Sequence, residues 1–126
     1  MTNKILFFSA LTLFFFTASA QKNTVSISDD EGKAISLKEG ISMSALPEYL
    51  VLKSSNPDLP VRKTNITHVS GGQGKNSHEG NSKLFLTEAI SKNLKEGDQL
   101  VIEVYLDNPD ADDKNEVLFI NLPVKA

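Results

Sequence analysis

The stretch that decides the fold is QLVIEVYLD, residues Gln99–Asp107, together with EVLFINLPV, residues 116–124. Apolar side chains fill every second position of both segments, at Leu100, Ile102, Val104, Leu106, Leu118, Ile120, Leu122 and Val124. Successive side chains of a strand point to opposite faces of the sheet, so each segment is predicted to be a strand with one fully apolar face. The short acidic connection between them makes the pair an antiparallel hairpin that supplies a large share of the core.

The opposite faces of the two predicted strands are only half apolar. They carry five side chains that we call the hairpin face: Val101, Glu103, Tyr105, Val117 and Phe119. In a domain this small, such a face packs either on a second sheet or on another protein chain. The hairpin face is therefore the candidate contact surface for a partner, which could also add a strand to an exposed sheet edge.

Two further strands are predicted upstream of the hairpin. One covers Tyr49–Ser54, and the other covers residues 60–70, where β-branched side chains are frequent. The segment that follows, residues 71–81, is rich in glycine and polar side chains, which predicts a loop. Residues 21–40 hold two short apolar alternations around an acidic turn, a pattern that predicts either a weak hairpin or a mobile leader.

A different period appears between residues 83 and 94. Leu86, Ile90 and Leu94 recur every four residues, which predicts an apolar stripe on a helix of about two turns, with Thr87 as its N-cap. A helix so short is stable only when it packs on a sheet. The sequence therefore predicts one mainly β domain over residues 21–126, an antiparallel β-sandwich with one short helix.

The first twenty residues have the three parts of a secretory signal peptide. Lys4 precedes an apolar run over residues 5–16, and small residues with an A-x-A pattern follow at Ala18 and Ala20. The run is short for a membrane span, which needs about 20 residues; the alternative is an uncleaved anchor helix. Cleavage after Ala20 leaves 106 of the 126 residues, and the loss of Lys4 moves the net charge from −3 to −4. The mature protein is expected in the periplasm or outside the cell, without a membrane span.

Composition excludes several classes of function. The chain has no cysteine and no tryptophan, which removes disulfides, cysteine-ligated metals and thiol nucleophiles. The 16 acidic and 13 basic side chains argue against nucleic-acid binding, which needs a basic patch. The two histidines, His68 and His78, have no acid–base partner that spacing identifies, and each is expected at the surface or half buried. The sequence predicts no enzyme, no cofactor and no metal site.

The connection over residues 107–116 is the strongest metal candidate, because it is rich in the carboxylate and amide oxygens that Ca²⁺ prefers. Counted from Asp107, its sixth position is Asp112 and its twelfth is Leu118. An EF-hand loop needs glycine and glutamate at these positions. We interpret the segment as a solvated acidic turn without a tight calcium site.

Three segments carry a resemblance to a known family: VRKTNITHVSGG at residues 61–72, LTEAISKNLKEGDQLVIEV at residues 86–104, and residues 116–124. In this order they resemble the last periplasmic domain of the GldM/PorM proteins, which belong to the gliding-motility and type IX secretion machinery of Bacteroidetes. The resemblance implies an immunoglobulin-like β-sandwich that acts as a protein-contact module, with no catalytic residues to carry over. Family members have several domains and an inner-membrane helix, whereas here we expect one domain and a cleavable signal.

We therefore expect an exported, non-catalytic interaction or assembly module of the bacterial cell envelope, accessory to gliding motility or type IX secretion. Its partner would be another envelope protein or a second copy of itself. The alternative is a secreted small-ligand or glycan-binding domain, which needs clustered exposed aromatic side chains. Four aromatic residues follow the signal peptide, and Phe85 and Phe119 are expected in the core, which leaves Tyr49 and Tyr105 for stacking.

Overall fold

The fold is that of a computed structural model, which describes residues 23–110 and 115–126. These residues form a β-sandwich, in which sheets of three and five strands enclose one apolar core. The prediction of a mainly β chain with one short α-helix is confirmed across the described ranges. The predicted signal peptide, residues 1–20, lies outside the described residues, as does the centre of the acidic connection, residues 111–114.

The strands of the described chain are β1 (Val25–Ser28), β2 (Ile41–Ser42), β3 (Tyr49–Ser54), β4 (Val61–Ser70), β5 (Gln73–Gly80), β6 (Lys83–Phe85), β7 (Gln99–Asp107) and β8 (Asn115–Lys125). Helix α1 (Glu88–Ser91) lies between β6 and β7, and a 3-10 turn (Met43–Ala45) follows β2. The smaller sheet has the order β1-β3-β6, and the larger sheet has the order β2-β8-β7-β4-β5. Neighbouring strands are antiparallel, except that β2 pairs with β8 in parallel.

The predicted hairpin lies within the larger sheet. Leu100 is opposite Leu122 and Ile102 is opposite Ile120 across β7 and β8, and Ile66 of β4 aligns with Ile102. The inward side chains of β4, β7 and β8 are mostly inaccessible to solvent: Ile66, Leu100, Ile102, Val104, Leu106 and Leu122 each have 0% exposure. Full burial of an aliphatic side chain stabilises the fold by about 1.5–3 kcal/mol, so this face is a main source of stability.

The short helix is shorter than predicted. Leu86, Ile90 and Leu94 are all buried, as the apolar stripe indicates. Helix α1 begins directly after Thr87, as predicted, but it ends at Ser91 and makes only one turn. The chain before it is extended, and the N–H of Leu86 bonds to the carbonyl of Glu48 beside β3. Thr87 is the N-cap residue, although its side chain makes no capping hydrogen bond.

The prediction of a loop over residues 71–81 is wrong for most of its length. The chain turns back through Gly71 and Gly72, whose φ angles are +60° and +80°, and β5 then pairs with β4. Such left-handed backbone suits glycine, which has no Cβ to collide. The ladder is built from backbone groups, so a strand at the sheet edge forms without an apolar face.

The segment before residue 40 is joined to the smaller sheet. Strand β1 pairs with β3, and Val25 and Ile27 are buried. Of the predicted hairpin, one isolated antiparallel β-bridge is present, between Ser28 and Ala34 on the two sides of the acidic turn. The mobility of residues 21–40 remains a prediction.

Candidate binding surfaces

The five residues of the hairpin face lie together on the outer surface of the larger sheet. Glu103 is directly opposite Phe119, and Tyr105 is directly opposite Val117. The smaller sheet packs against the other side of these strands, so the second sheet does not cover the hairpin face. Phe119 is 69% exposed and Val117 is 39% exposed, and the expectation that Phe119 lies in the core is therefore wrong.

A polar border runs along the side of the hairpin face that adjoins β4. The ammonium of Lys63 lies 3.3 Å from a carboxylate oxygen of Glu79 on β5 and 4.7 Å from the ring centroid of Tyr105. The hydroxyl of Tyr105 donates a hydrogen bond to Glu103 over 3.4 Å. The side chains of Lys63 and Glu79 are 42% and 64% exposed, so solvent screens their attraction and the pair stabilises the fold little.

The apolar part of the hairpin face continues around the edge of β8. Strand β2 pairs with only the last two aligned residues of β8, Val124 and Lys125. Next to the earlier part of β8, Phe119 and Leu37 line a shallow hollow of about 190 Å³. Leu37 is 47% exposed, so it extends the exposed apolar surface beyond the sheet itself.

A second aromatic group lies on the outer side of the smaller sheet. Tyr49 and Phe85 are opposite each other on β3 and β6, with ring centroids 5.3 Å apart and planes inclined by 56°. The ammonium of Lys83 lies 4.4 Å from the Tyr49 ring centroid and 5.8 Å from that of Phe85. Phe85 is 40% exposed, which contradicts its expected place in the core.

A buried His–Asp pair joins β4 to the start of β7. Nε2 of His68 lies 2.7 Å from Oδ2 of Asp98, and the residues are 1% and 6% exposed. The expectation of a surface or half-buried His68 is therefore wrong. The hydrogen bond from His68 holds the pKa of Asp98 below its ordinary value; burial opposes this effect, and hydrogen bonds from Ser70 and the Lys95 N–H support it.

The alternation of side chains along β4 indicates that His68 is buried. Residues 64, 66 and 68 share one face of β4, and Ile66 on that face is apolar, so His68 points into the core by the same alternation. A buried imidazole needs a polar partner. Asp98 could be found only from the strand register, which places His68 opposite Leu100, two residues further along the chain.

The pair does not have the arrangement of a Ser–His–Asp relay. In such a relay the serine bonds to the imidazole nitrogen that faces away from the aspartate. Here the hydroxyl of Ser70 acts on Asp98, whose pKa it helps to lower, and Nδ1 of His68 is buried without any hydrogen-bond partner in the described chain. The hydrogen bond between His68 and Asp98 therefore holds the segment before β7 against the end of β4.

The described ends of the acidic connection are held by side-chain amides. One carboxylate oxygen of Glu116 accepts hydrogen bonds from Asn23 and Asn108, at 2.8 and 2.9 Å. Across residues 23–110 and 115–126, no three His, Asp or Glu side chains are grouped in a way that could hold a metal ion. Within the same ranges, no helix has the length and apolar character needed to cross a membrane.

Comparisons of the chain with protein-family models, with curated proteins and with solved structures found no match.

Proposed function

We propose that this chain is an exported, non-catalytic protein-interaction module of the bacterial cell envelope, with the hairpin face as its contact surface. The observation that carries the proposal is the exposure of Phe119, 69%, beside Val117 at 39% on an open sheet surface. An exposed aromatic side chain with an apolar neighbour and a polar border has the composition of a protein interface. Such a patch commonly marks a binding site in a soluble domain.

The strand order supports an immunoglobulin-like module. In that fold one sheet contains strands A, B and E, and the other contains G, F and C, with C′ beyond C in the variable type. Here β1-β3-β6 corresponds to A-B-E and β8-β7-β4-β5 corresponds to G-F-C-C′. Folds of this kind carry many unrelated functions, so the hairpin face, rather than the fold, supports the binding role.

The cellular location in this proposal is inferred from the sequence. The basic start, apolar run and A-x-A site of residues 1–20 favour export. The resemblance of residues 61–72, 86–104 and 116–124 to the last periplasmic domain of GldM/PorM proteins favours an accessory of gliding motility or type IX secretion. The partner is then another envelope protein or a second copy of this chain.

Site-specific photo-crosslinking tests the proposal. A photoreactive phenylalanine analogue would replace Phe119 in the full chain, produced in a gliding member of the Bacteroidetes, with the same analogue at Phe85 as the matched control. We expect a discrete crosslinked product from position 119, either a dimer or one defined envelope protein, and none from position 85. Equal products from both positions, or none from position 119, would contradict the proposal.

One observation favours glycan binding as a second candidate. Tyr49 and Phe85 form a partly exposed pair on the smaller sheet, and Lys83 approaches both rings. Aromatic faces of this kind can stack on sugar rings. A titration with neutral oligosaccharides, followed by backbone NMR, should shift the signals of β3 and β6 and lose this response in Phe85→Leu. Absence of any saturable shift would remove this candidate.

A further inference from the structure

A polar pocket lies where the β4–β5 turn meets the segment after α1. Its volume is about 390 Å³, and its lining residues are His68, Ser70, Lys75, Asn76, Asn93 and Lys95. Every one of these side chains carries a hydrogen-bond donor or a positive charge, and none is a carboxylate. The pocket therefore offers the chemistry that an anion needs.

The two lysines of the pocket have no acidic partner in the part of the chain that is described. The three ion pairs there are Lys63–Glu79, His68–Asp98 and Lys125–Glu39. The ammonium of Lys75 contacts only a neutral oxygen, Oε1 of Gln73, at 3.3 Å. Two lysine ammonium groups without an ion-pair partner at one pocket attract an anion, even though the whole chain carries a net charge of −3.

The two amides are held in place by a common acceptor. Asn76 and Asn93 both donate to the carbonyl of Ala89 in α1, over 3.3 and 2.6 Å. An amide NH₂ group has two hydrogens, so each asparagine retains a second donor. Fixed donors bind a ligand more tightly than mobile ones, because less side-chain freedom is lost on binding.

The pocket also has an incompletely bonded histidine. His68 is 1% exposed and uses Nε2 for Asp98, while its buried Nδ1 has no partner among the described residues. Because Nε2 donates to Asp98, Nδ1 can donate to an anion only when the imidazole carries a second proton, so the lysines and asparagines supply the donors of the site. Asp98 does not line the pocket, but its carboxylate is hydrogen-bonded to two lining residues, His68 and Lys95, so the two lysine charges have to outweigh this one negative charge for an anion to bind.

We propose that this pocket binds a small organic anion, through Lys75 and Lys95 as the charged groups and Asn76 and Asn93 as neutral donors. The ligand class is a phosphate, sulfate or carboxylate attached to a small body, because the volume lies within the range of pockets for small molecules. The site is separate from the proposed contact surface. None of the residues that line the pocket belongs to the hairpin face.

NMR titration of the mature chain with inorganic phosphate tests this site. A parallel titration uses sodium acetate, and sodium chloride at matched ionic strength is the reference. We expect saturable shifts of the His68 ring and of the Lys95 amide with phosphate, with acetate, or with both, and none with chloride. A response to phosphate alone assigns a phosphoryl or sulfuryl group, and an equal response to acetate assigns a carboxylate.

The decisive comparison is between two double variants with the same change of charge. Lys75→Gln with Lys95→Gln alters the pocket, whereas Lys38→Gln with Lys53→Gln removes two lysines that do not line it. The pocket variant should bind at least about tenfold more weakly than the control, since charge-assisted hydrogen bonds are lost. Equal affinity of the two variants, or no saturable shift with either anion, would overturn the assignment. Retained anion binding in Phe119→Thr would show that this site does not depend on the hairpin face.

Discussion

The two faces of the larger sheet differ in how far their side chains are exposed to solvent. On the inner face, Leu100, Ile102 and Leu122 are inaccessible to solvent, whereas on the outer face Phe119 is 69% exposed. Both faces belong to the same two strands and alternate residue by residue along them. We therefore expect substitutions on the inner face to destabilise the fold and substitutions on the outer face to be tolerated, as the proposed contact surface requires.

The largest effect is expected from truncation of the inner face. Ile102→Ala should lower the free energy of unfolding by about 2–5 kcal/mol, because it removes buried atoms and leaves a cavity between the sheets. Phe119→Ala, on the outer face of the neighbouring strand, should change it by no more than about 0.5 kcal/mol. Urea denaturation of both variants measures the difference. Similar losses for the two would show that Phe119 contributes to the fold.

A smaller effect is expected at the buried pair of His68 and Asp98. Asp98→Asn should cost about 1–3 kcal/mol at neutral pH, because a charged hydrogen bond to buried His68 is replaced by a neutral one. The native pKa of Asp98 is lowered from its ordinary value of 3.8. The carboxylate therefore stabilises the fold above pH 3.8, and this contribution disappears as the pH falls through the lower native value.

Urea denaturation of the wild type and Asp98→Asn between pH 2 and pH 7 measures this contribution. The difference in unfolding free energy between them should be constant at neutral pH and shrink below about pH 4. Other carboxylates titrate in both proteins and cancel in the difference. A gap that widens towards acid would mean that the pKa of Asp98 is raised in the native state.

The smallest effect is expected at the polar border of the outer face. Lys63→Ala removes the ion pair with Glu79 and the contact with the Tyr105 ring. The side chains of Lys63 and Glu79 are 42% and 64% exposed, so the free energy of unfolding should fall by at most about 1 kcal/mol, and by less in high salt. Thermal melting at low and high ionic strength checks this. A loss that is large and independent of salt would place Lys63 among the residues that hold the sheet.

Sequence alone predicts the strands that carry an apolar run or an apolar alternation. β3 and β7 have the predicted bounds, and β8 differs by one residue at each end from the predicted strand over residues 116–124. The sequence does not predict β5, because QGKNSHEG has no apolar alternation. This strand pairs with β4 through backbone groups, which do not require a particular pattern of side chains. Periodicity therefore finds the four strands β3, β4, β7 and β8. It misses β5, which is held by backbone hydrogen bonds, and it also misses the three-residue strand β6, although Leu84 in that strand is fully buried.

The candidate sites were predictable to different degrees. The hairpin face follows from strand alternation alone, although the exposure of Phe119 contradicts the expectation that a phenylalanine lies in the core. The partner of His68 is 30 positions away in the sequence, and only the alignment of β4 with β7 identifies it. The residues that line the proposed anion pocket come from β4, β5 and the segment after α1, so no local sequence motif predicts it.

The measurement that tests the central claim most directly uses one double variant and two readouts. The double variant Val117→Thr with Phe119→Thr removes the apolar surface. Threonine is β-branched and favours strands, so β8 itself is retained. Unfolding in urea should remain within about 1 kcal/mol of the wild type, while crosslinking to the partner, now from a photoreactive group at Tyr105, should be lost. Undiminished crosslinking, or a loss of stability comparable with that of Ile102→Ala, would contradict the division of the sheet into a structural face and a binding face.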